Sequence, residues 1–172
     1  HQVIPPVPSL FTFNIKDARL KTIPGVVALD VHISVVNSGL ESEGPLLITH
    51  TGLSAPSILK LSAYGALELA EKQYKFEIKV NFIKQELSEC VERLLEIKTE
   101  FPKKLIIKST QFDLPKRLWE QLVIAAQLPS DLRWAEVNKQ QLQAVASQLT
   151  EAAFKVDGKS TFKEEFVTAG GV

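Results

Sequence analysis

Methionine is absent from this sequence, cysteine occurs once, and 20 Lys and Arg residues are matched by 20 Asp and Glu, for a formal net charge of zero. Each shortage excludes something. The lone Cys90 cannot close an internal disulfide, which fits a reducing compartment and predicts a cytoplasmic protein. Neutrality argues against a general nucleic-acid binder, whose affinity rests on neutralising phosphates, and against an electrostatic membrane anchor. No apolar run approaches the roughly 20 residues that span a bilayer, and His1-Gln2-Val3-Ile4-Pro5-Pro6 lacks the charged start and apolar centre of a signal peptide. The histidines are His1, His32 and His50 with no ligand-spaced pair, so no metal site is expected. Neither a Walker-type loop nor a G-x-G-x-x-G fingerprint occurs. A first residue of His1 and a Gly170-Gly171 pair beside the last residue, where such a turn ordinarily leads onward, predict a segment of a longer chain.

What is present describes a foldable domain. The 172 residues, 45% of them hydrophobic, suit one compact domain or two small subdomains sharing an interface. A chain of this size buries roughly 70% of the surface its unfolded form exposes.

The hydrophobic period changes twice along the chain. Leu29, Val31, Ile33 and Val35 alternate with Asp30, His32 and Ser34, and Phe76, Ile78, Val80 and Phe82 alternate with Lys75, Glu77, Lys79 and Asn81; both patterns predict half-buried strands. Shorter strands are expected at 10–13 and 46–49, with Asn37-Ser38-Gly39 as a turn. A helix over 54–71 carries Ile58, Leu61, Leu67 and Ala70, with Ser54 as its cap and Pro56 near its start. From residue 85 to 150 the period is helical. Leu87, Cys90, Val91, Leu94 and Leu95 form one stripe, and Leu118, Trp119, Leu122, Val123 and Ala126 a second, starting near Pro115. Asn138 with Gln141 reads as a capping box ahead of Leu142, Val145, Ala146 and Leu149. Residues 105–112 fit neither strand nor helix well. After 150 the pattern returns to β, with Asp157-Gly158 as the turn of a hairpin between 154–156 and 161–168. The expected fold class is therefore α+β: residues 1–84 and 151–172 form a β-barrel-like subdomain holding both chain ends, and 85–150 an inserted all-α subdomain.

Few residues invite chemistry. Gly52-Leu53-Ser54-Ala55-Pro56 has the look of a nucleophile elbow but not its G-x-S-x-G pattern, and a capping serine explains Ser54 better than a hydrolase does. Cys90 lies on an apolar helix face, where a thiol stays protonated and inert. Lys103, Lys104, Lys108, Lys116 and Arg117 form a basic cluster; such runs are usually a solvated face, with an RNA- or protein-binding module as the alternative. The segment from Gly44 to a helix start at Pro56 is more unusual. It delivers His50, Thr51, Gly52 and Ser54 to a short polar turn, where free amides attract anions or polarised carbonyls.

That segment, Gly44-Pro45-Leu46-Leu47-Ile48-Thr49-His50-Thr51-Gly52-Leu53-Ser54-Ala55-Pro56-Ser57-Ile58-Leu59, resembles one found in the BaiN-like and aminoacetone oxidase-like NAD(P)/FAD-dependent flavoprotein oxidoreductases. Pro8-Ser9-Leu10, Leu114-Pro115-Lys116-Arg117-Leu118 and Glu165-Phe166-Val167-Thr168-Ala169-Gly170-Gly171-Val172 are similar to further motifs of that family, in the same order. The resemblance implies the insert (middle) domain of such an enzyme: a barrel-like subdomain carrying a helical one similar to a helix-two-turn-helix module. It implies that FAD belongs to the intact parent protein and is not held by this segment, that Thr168, Gly170 and Gly171 lie near the flavin, and that His50, Thr51, Gly52 and Ser54 face the flavin ring or substrate. The implied partners are the FAD-binding domain of the same chain and a small-molecule substrate, with no catalysis by the segment alone. Ala55 departs from the family pattern, which has Gly there.

Overall fold

The structure, a computed structural model, describes residues 10–161. Seven strands, β1 (Phe11–Asn14), β2 (Val27–Val35), β3 (Glu41–Ile48), β4 (Gly52–Ser54), β5 (Phe76–Asn81), β6 (Ala152–Val156) and β7 (Gly158–Thr161), make one antiparallel sheet in the order β6-β5-β2-β3-β4-β1-β7. Between β1 and β2 lies the single-turn α1 (Ala18–Lys21), and between β4 and β5 lie α2 (Pro56–Tyr64) and α3 (Ala66–Glu71). Helices α4 (Leu87–Glu100), α5 (Lys116–Ala125) and α6 (Lys139–Thr150) all fall between β5 and β6, joined through 3-10 turns at Ile106–Lys108 and Trp134–Glu136. The α+β class and the helical interruption of the β material are as the changes of period predict.

Asp157-Gly158 is not the turn of a hairpin, because Gly158 already begins β7; beyond Thr161, the second strand expected over 161–168 lies outside the described residues. β6 pairs with β5 and β7 pairs with β1, so consecutive strands occupy opposite edges of the sheet. Only Asp157 separates Val156 from Gly158, and two Cα steps span at most about 7.6 Å. The two edges must therefore curl to within that distance, and the sheet closes on itself as a barrel. The Asp157 amide donates to the Asn14 carbonyl at 2.9 Å and fixes the crossing.

Other departures from the sequence pattern have local causes. A register shift between Ala28 and Val31 turns Ala28 inward and leaves Leu29 76% exposed, although alternation from Val31 onward points Leu29 at the core. The helix expected over 54–71 is broken at Gly65, where a Cβ would collide with Leu40. The break rotates the second half, so Leu69 is buried and Leu67 exposed. Its N-cap is Ala55 without a side-chain cap bond; Ser54 is still extended, paired with Leu47 in the β4 ladder. In α4 the buried stripe is Cys90, Leu94 and Ile97, whereas Leu87 and Leu95 are exposed, because that helix packs chiefly on α6. Residues 105–112 form neither strand nor α-helix; their one bridge joins Leu105 to Arg133.

Two expectations hold closely. Asn138 Oδ1 accepts from the Gln141 amide at 2.8 Å while Gln141 Oε1 accepts from the Asn138 amide at 2.9 Å, the reciprocal box read from the sequence. Leu118, Trp119, Leu122 and Val123 are fully buried on α5. Core side chains of barrel and helices form one contiguous cluster, from Phe11 and Phe13 through Ile78 and Phe154 to Leu149 and Trp119.

Candidate functional site

The turn between β3 and β4 is built from its own side chains. Thr49 Oγ1 accepts from the amides of Gly52 at 3.0 Å and Thr51 at 3.3 Å, and the Thr49 amide donates to the Gly52 carbonyl at 2.9 Å. Gly52, at φ 157°, packs against the Phe13 carbonyl so closely that any Cβ there would overlap it. The Ile15 amide then donates to the Thr51 carbonyl at 2.9 Å. The glycine is thus required by close approach of two backbones, and it locks the turn to the end of β1.

Beyond that lock lies a cleft of about 830 Å³, bordered by His50 and Thr51 on one side and by Asn14, Lys16, Lys21 and Asp157 on others. Its size is that of a pocket for one small-molecule-sized group. His50 is exposed at the rim. Two of the sequence-predicted residues, His50 and Thr51, therefore line one space. Gly52 stands behind them as backbone. Ser54 does not join them: it is buried at the far end of β4, where it neither lines the cleft nor resembles an accessible nucleophile. Thr168, Gly170 and Gly171 lie outside the described residues.

Sequence reasoning passed over the opposite wall, α1, although Asp17 is a recognisable N-cap. Its Oδ1 accepts from the Arg19 amide at 2.9 Å, and both carboxylate oxygens pair with the Arg19 guanidinium at 2.8 Å. Burial alone would raise the Asp17 pKa; the hydrogen bonds and charge of Arg19 outweigh it and hold the carboxyl below its ordinary value. Arg19 also donates to Gln148 Oε1 at 2.9 Å and to the Ala153 carbonyl, and lies 3.9 Å from the ring centroid of Phe154. From the other side Arg117 donates to the Thr22 carbonyl at 3.0 Å. One turn of helix is thereby tied to α5, α6 and β6, and holds Lys16 and Lys21 at the cleft.

Other candidates are occupied or inert. Lys84 bridges Glu43 at 3.1 Å and Asp30 at 3.2 Å, carboxylates that raise its pKa. His32 Nε2 sits 3.4 Å from Glu41. Cys90 is fully buried, and burial pushes its thiol up to about 12. Among the described residues no group of three or more His, Cys, Asp or Glu is placed to hold a metal ion, and no helix is long and apolar enough to cross a membrane.

Comparison with known proteins adds to this geometry. A family model described as "HI0933-like protein barrel and H2TH domain" matches residues 7–167. A protein of Escherichia coli named ribosomal RNA dihydrouridine synthase is 30% identical over 154 residues, covering 90% of this chain and 36% of that protein. A protein of the same name from Haemophilus influenzae is 28% identical over 172 residues, covering 99% of this chain and 40% of that protein. The chain thus spans about two-fifths of the length of the curated relatives it matches.

Proposed function

Because the chain belongs to the family of HI0933-like barrel and H2TH domains, we propose that it acts as the insert domain of an FAD-dependent oxidoreductase, covering the flavin and shaping the substrate pocket. In this reading residues 1–84 with 151–172 are the barrel and 85–150 the helical subdomain. The observation that carries it is the pairing of the first and last described strands, Phe11 with Thr161 through Asn14 with Gly158. A domain whose first and last described strands pair with each other suits insertion into a host domain, where entry and exit lie close together. Three residue steps along β1, about 10 Å, separate Phe11 from Asn14, which borders the cleft together with His50 and Thr51.

The described residues do not fit the task of holding FAD. No glycine-rich loop leads into a helix start that could take the pyrophosphate, and α2 begins at Pro56 behind a buried serine. Bound elsewhere in the longer protein, FAD would supply the redox chemistry; this segment would supply a wall, with His50 and Thr51 as hydrogen-bonding groups at the rim. Purified alone, the chain should pass through gel filtration in the presence of FAD without retaining it. Stoichiometric flavin absorbance in the eluted chain would overturn the reading.

A small-molecule substrate is what the flavoprotein resemblance implies. The names of the two relatives favour a second reading of the substrate: a base of ribosomal RNA presented to the same cleft. A single nucleobase is well within its volume.

A further inference from the structure

Net neutrality conceals a segregation of charge. Helix α4 with its cap carries Glu86, Glu89, Glu92, Glu96 and Glu100, and two of these are already bound by Arg93. The next stretch, 101–117, carries Lys103, Lys104, Lys108, Lys116 and Arg117 against Asp113 alone. Lys103, Lys104, Lys108 and Lys116 are exposed, and among the described residues none of them forms an ion pair.

Lys116 and Arg117 occupy the first turn of α5, where the helix dipole disfavours positive charge, and no acidic residue offsets them there. A local choice that stability does not favour points to a function. Phe101 is 36% exposed, and Lys104 Nζ lies 4.4 Å from its ring centroid, a favourable cation–π contact.

The packing makes these residues continuous with the cleft. Trp119 Nε1 donates to the Ile106 carbonyl at 2.9 Å, which seats the turn bearing Lys108 against α5. Arg117, at the start of α5, bonds Thr22 at the end of α1. Lys21, the residue before Thr22, lines the cleft together with Lys16. Two acids also border the cleft, Asp17 and Asp157, and Asp17 is bound by Arg19.

We propose that the exposed cations from Lys103 and Lys104 through Lys108, Lys116 and Arg117 to Lys21 form a single track for the sugar-phosphate backbone of an RNA strand, with one base delivered to the cleft beside His50. This inference rests on the RNA reading of the substrate given above. Phosphate contacts position a strand without reading its sequence, and an exposed aromatic beside cations offers a stacking surface for a base. Their placement on elements that pack on one another, the turn at Ile106–Lys108 on α5 and α5 on α1, distinguishes the track from a scattered basic surface.

The test is fluorescence polarisation of a short, fluorescein-labelled, uridine-rich single-stranded RNA titrated with the chain over a range of salt concentrations. Three proteins are compared with the parent chain: the triple substitution Lys104→Gln, Lys108→Gln, Lys116→Gln; the charge-preserving Lys104→Arg, Lys108→Arg, Lys116→Arg; and Lys60→Gln on α2, outside the track. The first should flatten the dependence of log affinity on log salt by about 2, at roughly 0.7 for each single-strand phosphate that is no longer neutralised. The arginine and Lys60 proteins should match the parent, and identical circular dichroism spectra would show that all four are folded. Absence of RNA binding by the parent at low salt, or a triple-glutamine protein with the parent's affinity and slope, overturns the track. The readout is independent of flavin. A chain that binds RNA through these lysines but also retains FAD leaves the track standing and removes the covering role; one that retains neither removes the track alone.

Discussion

The guanidinium of Arg19 stacks 3.9 Å from the ring centroid of Phe154 while holding Asp17 through two 2.8 Å hydrogen bonds. Phe154 is a core residue of the strand that follows the helical segment, and Asp17 begins the helix that walls the cleft. One side chain therefore couples barrel, helical segment and site.

Replacing Arg19 with Ala should cost about 2 kcal/mol or more, the scale of one hydrogen bond to a charged group. It also strands Asp17 without its partner. Urea denaturation followed by circular dichroism measures the loss. Unchanged stability would mean that α1 is held by other interactions.

The same pair sets an acid limit. The folded pKa of Asp17 is depressed, so its contribution is present at neutral pH and is lost as pH falls below the ordinary carboxylate value of about 4 and on through the folded pKa. The stability difference between the parent and Asp17→Asn should therefore be largest near neutrality and shrink in acid. A difference independent of pH contradicts this assignment.

Ala55 stands at φ 87°, ψ 173°, a region occupied almost solely by glycine. Ala55→Gly should stabilise the fold by about 1 kcal/mol, the lower end of the strain stored in such conformations. Gly52→Ala should do the opposite, by on the order of 3 kcal/mol, because its Cβ would meet the Phe13 carbonyl rather than a movable side chain. Thermal melts of the two variants, moving in opposite directions, test the strand-to-helix junction.

The Cys90 thiol, buried and raised to about 12, should react with a disulfide reagent near pH 8 only after unfolding, since the thiolate is the reactive form. Prompt reaction of the native chain would show that α4 opens readily.

Much of this architecture is written in local signals. The Asn138–Gln141 box, the α5 stripe and the alternation of β5 need only neighbours a few residues apart, and each is present as read. What escaped depends on distant pairing. Asp157-Gly158 carries a hairpin turn's composition, yet the partners of β6 and β7 are Phe76–Val80 and Phe11–Asn14, which no local rule identifies. Leu29 points outward because a bulge shifts the register, and a bulge leaves no mark on hydrophobic alternation. That His50 and Thr51 share a polar turn follows from the sequence around them, whereas Lys16, Lys21 and Asp157 converge on the same cleft only through barrel closure. Ser54 misled because a serine ahead of Pro56 reads as a cap, although the extra residue Ala55 makes the junction.

The covering role is decided by where flavin resides. The chain, and a longer protein that carries it together with its flanking sequence, should each be purified after incubation with FAD and compared by visible absorbance. Flavin in the longer protein and none in the chain is the expected outcome. Equal flavin in both, or none in either, would contradict a segment that covers a cofactor held by its host.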